Sequence, residues 1–206
     1  MCQRIARITL CQRRASSVQG VGLIEVMLAL LIFATAMSGL VLTQLSGKKA
    51  VGEALQRSQA SILAQDLLER IRGNSGELTV YAAAVLGDAS RAQALPEVDC
   101  TVDNCAPLQL ARYDLWQWEL LLLGASELEG IYRLGGLVSP RACFSIVGNR
   151  FSLTLNWLGP AARTVAAGPD CVAASEGLYD APGKPTGNNL RRRALTVSIA
   201  LEGTLL

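Results

Sequence analysis

The sequence predicts an α+β protein in which a long N-terminal helix, half of it transmembrane, packs on a C-terminal antiparallel β-sheet. Three observations carry this prediction. The run from Val21 to Leu45 is apolar and contains one ionisable side chain, Glu25. Beyond it the pattern stays helical from Gly47 to Arg72, without proline and rich in Ala, Leu, Gln, Glu and Arg. Past residue 140 three segments read as strands, and in two of them apolar and polar side chains alternate with period two.

At 206 residues the chain is one domain by length, once any targeting segment is set aside. Half of its residues are hydrophobic, which argues against disorder throughout. The formal charge of +2 is unevenly spread. Residues 1–20 hold Arg4, Arg7, Arg13 and Arg14 and no acidic residue, so from Val21 onward 15 basic residues face 17 acidic ones. That balance gives no general reason to expect nucleic acid. Histidine is absent, which removes the commonest general base, the usual partner of catalytic serine and cysteine and most catalytic zinc designs, but not carboxylate-pair chemistry, so an enzyme stays open.

The apolar run comes first among the elements. Twenty-five residues at helical rise reach about 38 Å, enough to cross a bilayer. Four arginines before it, against Lys48 and Lys49 just after it, favour a cytoplasmic N-terminus. The plainest reading is a signal anchor. A second is a cleaved signal peptide, since Ala34-Thr35-Ala36 is an A-x-A site whose product would begin at Met37. The long basic lead and the carboxylate inside the run count against it.

A third reading accounts for the carboxylate. Gly20-Val21-Gly22-Leu23-Ile24-Glu25-Val26 resembles the type III signal of type IV prepilins and pseudopilins. The resemblance implies cleavage by prepilin peptidase between Gly20 and Val21 and N-methylation of the new Val21 amine. Family members most often begin with phenylalanine, and here valine stands first. The amine stays cationic at neutral pH, and Glu25, four residues along, would reach the amine of a neighbouring subunit. An isolated charge at a helix centre costs about 2.5–3.5 kcal/mol on insertion scales, less near an end. Assembly would relieve that cost and set the helix register.

From Gly47 the apolar face turns. Val51, Ala54, Leu55 and Ile62 cluster on one side; Ala60, Leu63, Ala64, Leu67, Leu68 and Ile71 fall nearly opposite. The first group is expected to face other subunits and the second to pack on the chain's own domain, with a gradual supercoil drift as the alternative. Asp66 and Arg70 are spaced for an ion pair, and Gly73-Asn74 stops the helix. The stretch from Ser58 to Asn74 resembles the PilV group of type IV pilus modification proteins, which are minor pilins. The likeness extends to Cys100 and Cys105, to Ala111-Arg112-Tyr113-Asp114-Leu115 and to the strand around Trp157.

The globular part follows. A short helix is expected at Glu77–Leu86, then a loop with Cys100 and Cys105. Pro107 opens a second helix whose Leu108, Ala111, Leu115, Trp118 and Leu122 share one side, its tryptophans serving as core. Ala142–Val147, Gly148-Asn149 and Arg150–Leu158 form a hairpin, with Phe151, Leu153, Leu155 and Trp157 on one face and Ser152, Thr154 and Asn156 on a solvated one. In the last strand Leu195, Val197, Ile199 and Leu201 point inward. A loop spans roughly residues 159–190, long enough to be functional. Arg191-Arg192-Arg193 could contact DNA phosphates or an acidic partner, but such a run at a strand start is more often a solvated end.

Six cysteines are present, Cys2 and Cys11 in the basic lead and Cys100, Cys105, Cys143 and Cys171 beyond the apolar run. The last four suit two disulfides in an oxidising compartment, with 100–105 plus 143–171 the most local of three connectivities. A four-thiolate zinc site is the rival, although neither half has C-x-x-C spacing.

The domain organisation expected is a cleaved leader at 1–20, a transmembrane assembly helix at 21–45 and a periplasmic domain at 46–206. That domain divides into a helix continuation (46–72), an αβ loop (73–130), and a sheet with its tethered loop (131–206). The resemblance implies a structural subunit without cofactor or enzymatic activity. It would be inserted in the inner membrane with its N-terminus cytoplasmic and then enter the pilus, priming assembly at or near the tip and supporting adhesion and twitching motility. Its partners would be prepilin peptidase, the other minor pilins, the major pilin and the inner-membrane assembly platform. A minor pseudopilin of a type II secretion system is the nearest rival, and a signal-anchored periplasmic protein or enzyme the next.

Overall fold

The computed structural model describes residues 22–88, 94–125, 128–129, 132–133, 135–172, 177–184 and 187–200. The basic lead, Gly20, Val21 and Leu201 lie outside the described residues. The chain divides into two compact units between Ser46 and Gly47.

Helix α1 runs from Leu23 to Gly73. In the first unit its side chains are exposed throughout, from Leu23 at 82% to Leu45 at 51%. It is long and apolar enough to cross a membrane. In the second unit the helix carries both a buried and an exposed side. Ala60, Ala64, Leu67, Leu68 and Ile71 are buried and Leu63 partly so, while Val51, Leu55 and Ile62 stay at least 60% exposed. The two opposed faces in the sequence are therefore both present.

A 3-10 turn at Ser75–Glu77 leads into α2, Leu78–Ala82, and then β1, Val85–Leu86. The helix expected at Glu77–Leu86 is thus shorter, because Val85 and Leu86 pair with Cys143 and Ala142 of the sheet. Helix α3, Pro107–Leu122, starts at its proline as expected, and the Gln109 carboxamide accepts from the Ala106 amide at 2.9 Å. Ala111, Leu115, Trp118 and Leu122 are buried, but Leu108 is 40% exposed in the first turn, and Asp114 and Glu119 take buried places instead. A two-residue pair of strands follows, β2 (Leu128–Glu129) and β3 (Tyr132–Arg133), in the region expected to be loop.

Strands β4 (Arg141–Val147), β5 (Arg150–Leu158) and β6 (Arg192–Ala200) complete a four-stranded sheet in the order β1-β4-β5-β6. The hairpin turns at Gly148-Asn149, and its register is unbroken from Arg141↔Asn156 to Val147↔Arg150. Phe151, Leu153, Leu155 and Trp157 are buried in one core with the inner side of α1 and with α3. This is an α+β architecture of the type IV pilin kind: a long N-terminal helix packed on an antiparallel sheet.

The opposite face departs from expectation. Thr154 is 2% exposed and Asn156 fully buried, so the sheet is not solvated there. Cover comes from the loop after β5, which the Cys143–Cys171 disulfide holds against β4.

Two glycines fix the connection after α3. A Cβ on Gly124 (φ +68°) would sit 1.8 Å from the Gly135 carbonyl oxygen, and one on Gly136 (φ +80°) 2.4 Å from the Gly124 nitrogen. Their backbones touch where no side chain fits, in a conformation that L-residues rarely adopt. Gly124→Ala is expected to cost at least about 2 kcal/mol of stability, from strain and displaced backbone together. An unchanged melting temperature of the full-length variant in detergent would refute this account of the turn.

Candidate assembly site

Glu25 occupies the first turn of α1, where its amide donates to the Gly22 carbonyl at 2.9 Å. A carboxylate suits a helix N-terminus, whose free amides carry partial positive charge. Its neighbours Leu23, Ile24, Val26, Met27 and Leu28 are all exposed, and among the described residues Glu25 has no ion pair or side-chain hydrogen bond. The cationic terminus expected to pair with it lies outside the described residues.

Within the second unit, polar clamps on α1 fix which side faces inward. Glu53 accepts from Arg193 Nε at 2.7 Å and pairs with Arg163 at 3.2 Å. Gln56 accepts from the Val138 amide at 3.0 Å, and the Leu63 carbonyl accepts from Trp118 Nε1 at 2.9 Å. At the end of the helix Arg70 donates to Asp66 (3.1 Å), Asp114 (3.2 Å) and Gln117 (2.6 Å). The expected Asp66–Arg70 pair is thus one edge of a larger network. Asp114 also accepts from the Tyr81 hydroxyl at 2.7 Å, and Asn74 donates to the Pro107 carbonyl at 2.8 Å. Burial, and then the hydrogen bond to Asp114, push the Tyr81 phenol well above its ordinary value of 10.0.

The arginine run is not a solvated end. Arg192 is 4% exposed, and its guanidinium donates to the carbonyls of Ala166 (2.6 Å), Pro169 (2.8 Å) and Gly168 (3.3 Å) and to Asn156 Oδ1 (3.3 Å). No carboxylate pairs with it among the described residues. Arg193 turns the other way, to Glu53 and the Ala161 carbonyl, and Arg191 donates to the Gly159 carbonyl. The run therefore folds the loop onto both faces of the sheet, and the expectation of a phosphate or acidic partner there falls away. Local sequence gave no sign of this, because carbonyl acceptors carry no residue code.

Cys100 and Cys105 form a second disulfide, so the four sulfurs serve two covalent bonds rather than one thiolate site. Beside it Asp99 accepts from the Thr101 hydroxyl (2.7 Å) and amide (2.9 Å), which hold its carboxyl below the usual range. Tyr113 nearby is pushed up by lost hydration and by the Asp99 charge. Among the described residues no group of three metal-ligating side chains occurs.

Residues 43–116 match the model of the Tt1218-like family, described as type IV pilin Tt1218. That span, a little over a third of the chain, holds the inner face of α1, the Arg70 network apart from Gln117, and the Cys100–Cys105 disulfide. No curated protein and no solved structure matches the chain. Together with the fold, the match supports a pilin-type structural subunit rather than an enzyme, and the exposed apolar helix fits membrane anchoring.

Two outcomes follow from these contacts. The folded chain holds the Tyr81 proton more tightly than the unfolded chain, so that contribution is whole below pH 10 and fades as pH rises above it. Tyr81→Phe should lose about 1–2 kcal/mol at neutral pH, because Asp114 loses a buried donor. It should then lose less than the parent between pH 10 and pH 11 in denaturant titrations; parallel curves would remove Tyr81 from the network. Arg192→Lys replaces a two-armed donor with a single ammonium that cannot reach all four acceptors. Limited proteolysis should cut that variant between residues 159 and 170 at least about tenfold faster, with the core still folded. Equal cutting rates would mean that the disulfide alone holds the loop.

Proposed function

We propose that this chain is a minor pilin of a type IV pilus, of the PilV kind, a structural subunit that helps prime assembly and sits at or near the tip. The observation that carries the reading is Glu25: one unpartnered carboxylate at the start of an exposed apolar helix, in a sequence with Gly20 and Val21 just before it. A charge in lipid costs free energy unless it meets a countercharge. Prepilin peptidase would supply that countercharge by cutting after Gly20, leaving an N-methylated Val21 amine for the Glu25 of an adjoining subunit. The helix then stays in the product and joins a bundle with other minor pilins and the major pilin.

Within the folded unit, the exposed side of α1 at Val51, Leu55 and Ile62 offers an apolar surface of its own to neighbouring subunits. Two disulfides suit a domain exported to the periplasm while the N-terminus stays cytoplasmic, in the inner membrane before transfer to the pilus. Adhesion and twitching motility would follow from the position of such a subunit in the pilus. A minor pseudopilin of a type II secretion system would use the same signal and helix. Recovery of the chain from sheared pili, together with its absence from secretion complexes, would favour the pilus.

Mass analysis of the mature chain, from membranes and from sheared pili, should show Val21 as the first residue. A start at Met37 or an intact Met1 would overturn the reading. Glu25→Ala should be inserted and cleaved normally, yet its amount in pili should fall at least about tenfold, the loss of roughly 1.4 kcal/mol of differential contact. Normal incorporation of that variant would deny Glu25 its part in assembly.

A further inference from the structure

The sheet ends on β6, a nine-residue strand with β5 on one side and no strand on the other among the described residues. Its backbone pairing can be followed from the hairpin. The two-residue turn makes Val147 and Arg150 a bonded pair, so Arg150, Ser152, Thr154 and Asn156 bond toward β4. Phe151, Leu153, Leu155 and Trp157 then bond toward β6, where they face Ile199, Val197, Leu195 and Arg193. The amides and carbonyls of Ala194, Thr196, Ser198 and Ala200 consequently point away from the sheet.

At the start of the strand that outward side is closed: the Arg192 amide donates to the Asn189 carbonyl at 3.0 Å, and its carbonyl accepts from Arg193 Nη1 at 3.3 Å. Beyond Arg192, the outward groups of Ala194–Ala200 have no partner among the described residues. Edge strands are ordinarily protected by a charge, a proline or a bulge. Ala194-Leu195-Thr196-Val197-Ser198-Ile199-Ala200 has no charge and no proline, and its register with β5 is one-to-one throughout.

We propose that this edge accepts an extended strand from a neighbouring subunit of the same assembly, which continues the sheet by backbone hydrogen bonds. The proposal rests on the assembly reading above. The entering segment is uncharged, with β-branched or aliphatic side chains beside Leu195, Val197 and Ile199. On the other face it carries small or hydroxyl side chains, extending the ladder in which Ser152 meets Ser198 at 2.9 Å and Thr154 meets Thr196 at 3.0 Å. A second β6 does not fit. Antiparallel pairing of two β6 strands turns about an axis normal to the sheet and reverses the packed helix, residues 47–73, whereas subunits of one bundle would carry that helix in the same direction. Parallel pairing turns one sheet over and sets Leu195, Val197 and Ile199 beside the hydroxyl face. The strand therefore comes from another part of a neighbour whose helix runs the same way.

Amide hydrogen exchange with residue-level readout decides the matter, comparing full-length chain in detergent with chain in sheared pili. The Thr196 and Ser198 amides should exchange freely in the detergent-solubilised protomer and slow about a hundredfold in pili, while Leu195 and Val197 are protected in both. Exchange of Thr196 and Ser198 at the same rate in pili and protomer overturns the proposal. The Thr196→Pro/Ser198→Pro double variant removes two outward donors and no bond to β5; its amount in pili should drop about tenfold with both disulfides still formed. Normal incorporation of that variant also overturns strand addition. The assembly reading fails by a different sign: a chain starting at Val21 would be missing from sheared pili, and this proposal would fall with it.

Discussion

One helix must present two unlike surfaces within a few turns, and the rest of the folded unit is arranged around that constraint. Ala60 and Ala64 are buried while Ile62, between them, is 63% exposed. At 100° per residue, such positions lie on opposite sides of the cylinder, so turning α1 about half-way round would bury Ile62 and lift the alanines out. Apolar packing alone discriminates weakly between those rotations, because both sides are greasy. Directional contacts decide it. Glu53, Gln56, the Leu63 carbonyl and Arg70 each reach a specific partner on β6, on the residues before β4, or on α3. Rotation would break all four at once.

Energetically those contacts divide into two kinds. The Arg70 network is closed by opposite charge, with Asp66 and Asp114 both within 3.2 Å; Arg70 and Asp66 are partly solvated, whereas Asp114 is buried. The partly solvated Asp66 pair adds little, and its value lies in fixing geometry. Arg192 is different. A buried guanidinium without a carboxylate is costly to desolvate, and neutral carbonyl dipoles offset the cost only when several converge. Three loop carbonyls and one carboxamide do so, which obliges residues 166–169 to take one conformation over Thr154 and Asn156. The polar outer face of β5 is buried for the same reason. It is the floor on which the loop is laid.

What the sequence made legible follows from the range of the interactions involved. The two faces of α1, the proline start of α3, and the hairpin with its turn at Gly148-Asn149 are all set by spacing within one element, and all appear. Elements whose existence depends on distant partners were missed. Val85 and Leu86 read as the tail of a helix, yet Cys143 and Ala142 recruit them as a strand. Ser152, Thr154 and Asn156 alternate like a wet face, and only a loop more than ten residues away dries the last two. Leu108 fits the apolar spacing of α3, but the core ends before the first turn. Arg191–Arg193 showed the same limit most sharply, because their partners are mainly backbone oxygens. Of the candidate site, Glu25 stood out by composition alone, whereas nothing in the sequence singled out Glu53, whose partners Arg163 and Arg193 lie more than a hundred residues away.

Arg192, buried in the folded unit, and Glu25, in the apolar run, both lack a countercharge among the described residues, and the contrast between them is instructive. Arg192 is surrounded by oriented dipoles supplied by its own chain, so its solvation is complete within the protomer apart from the guanidinium Nε–H. Nothing about it calls for a partner. Glu25 sits where no such dipoles exist beyond its own helix terminus, flanked by leucine, isoleucine, valine and methionine that are all exposed. A folding chain can retain an uncompensated charge cheaply by burying it among carbonyls, as Arg192 does, or by leaving it in water. A carboxylate inside a segment built for lipid does neither. In the proposed assembly a cation of another molecule would complete its solvation, and that contact would give an apolar helix of weak register a single preferred position among its neighbours.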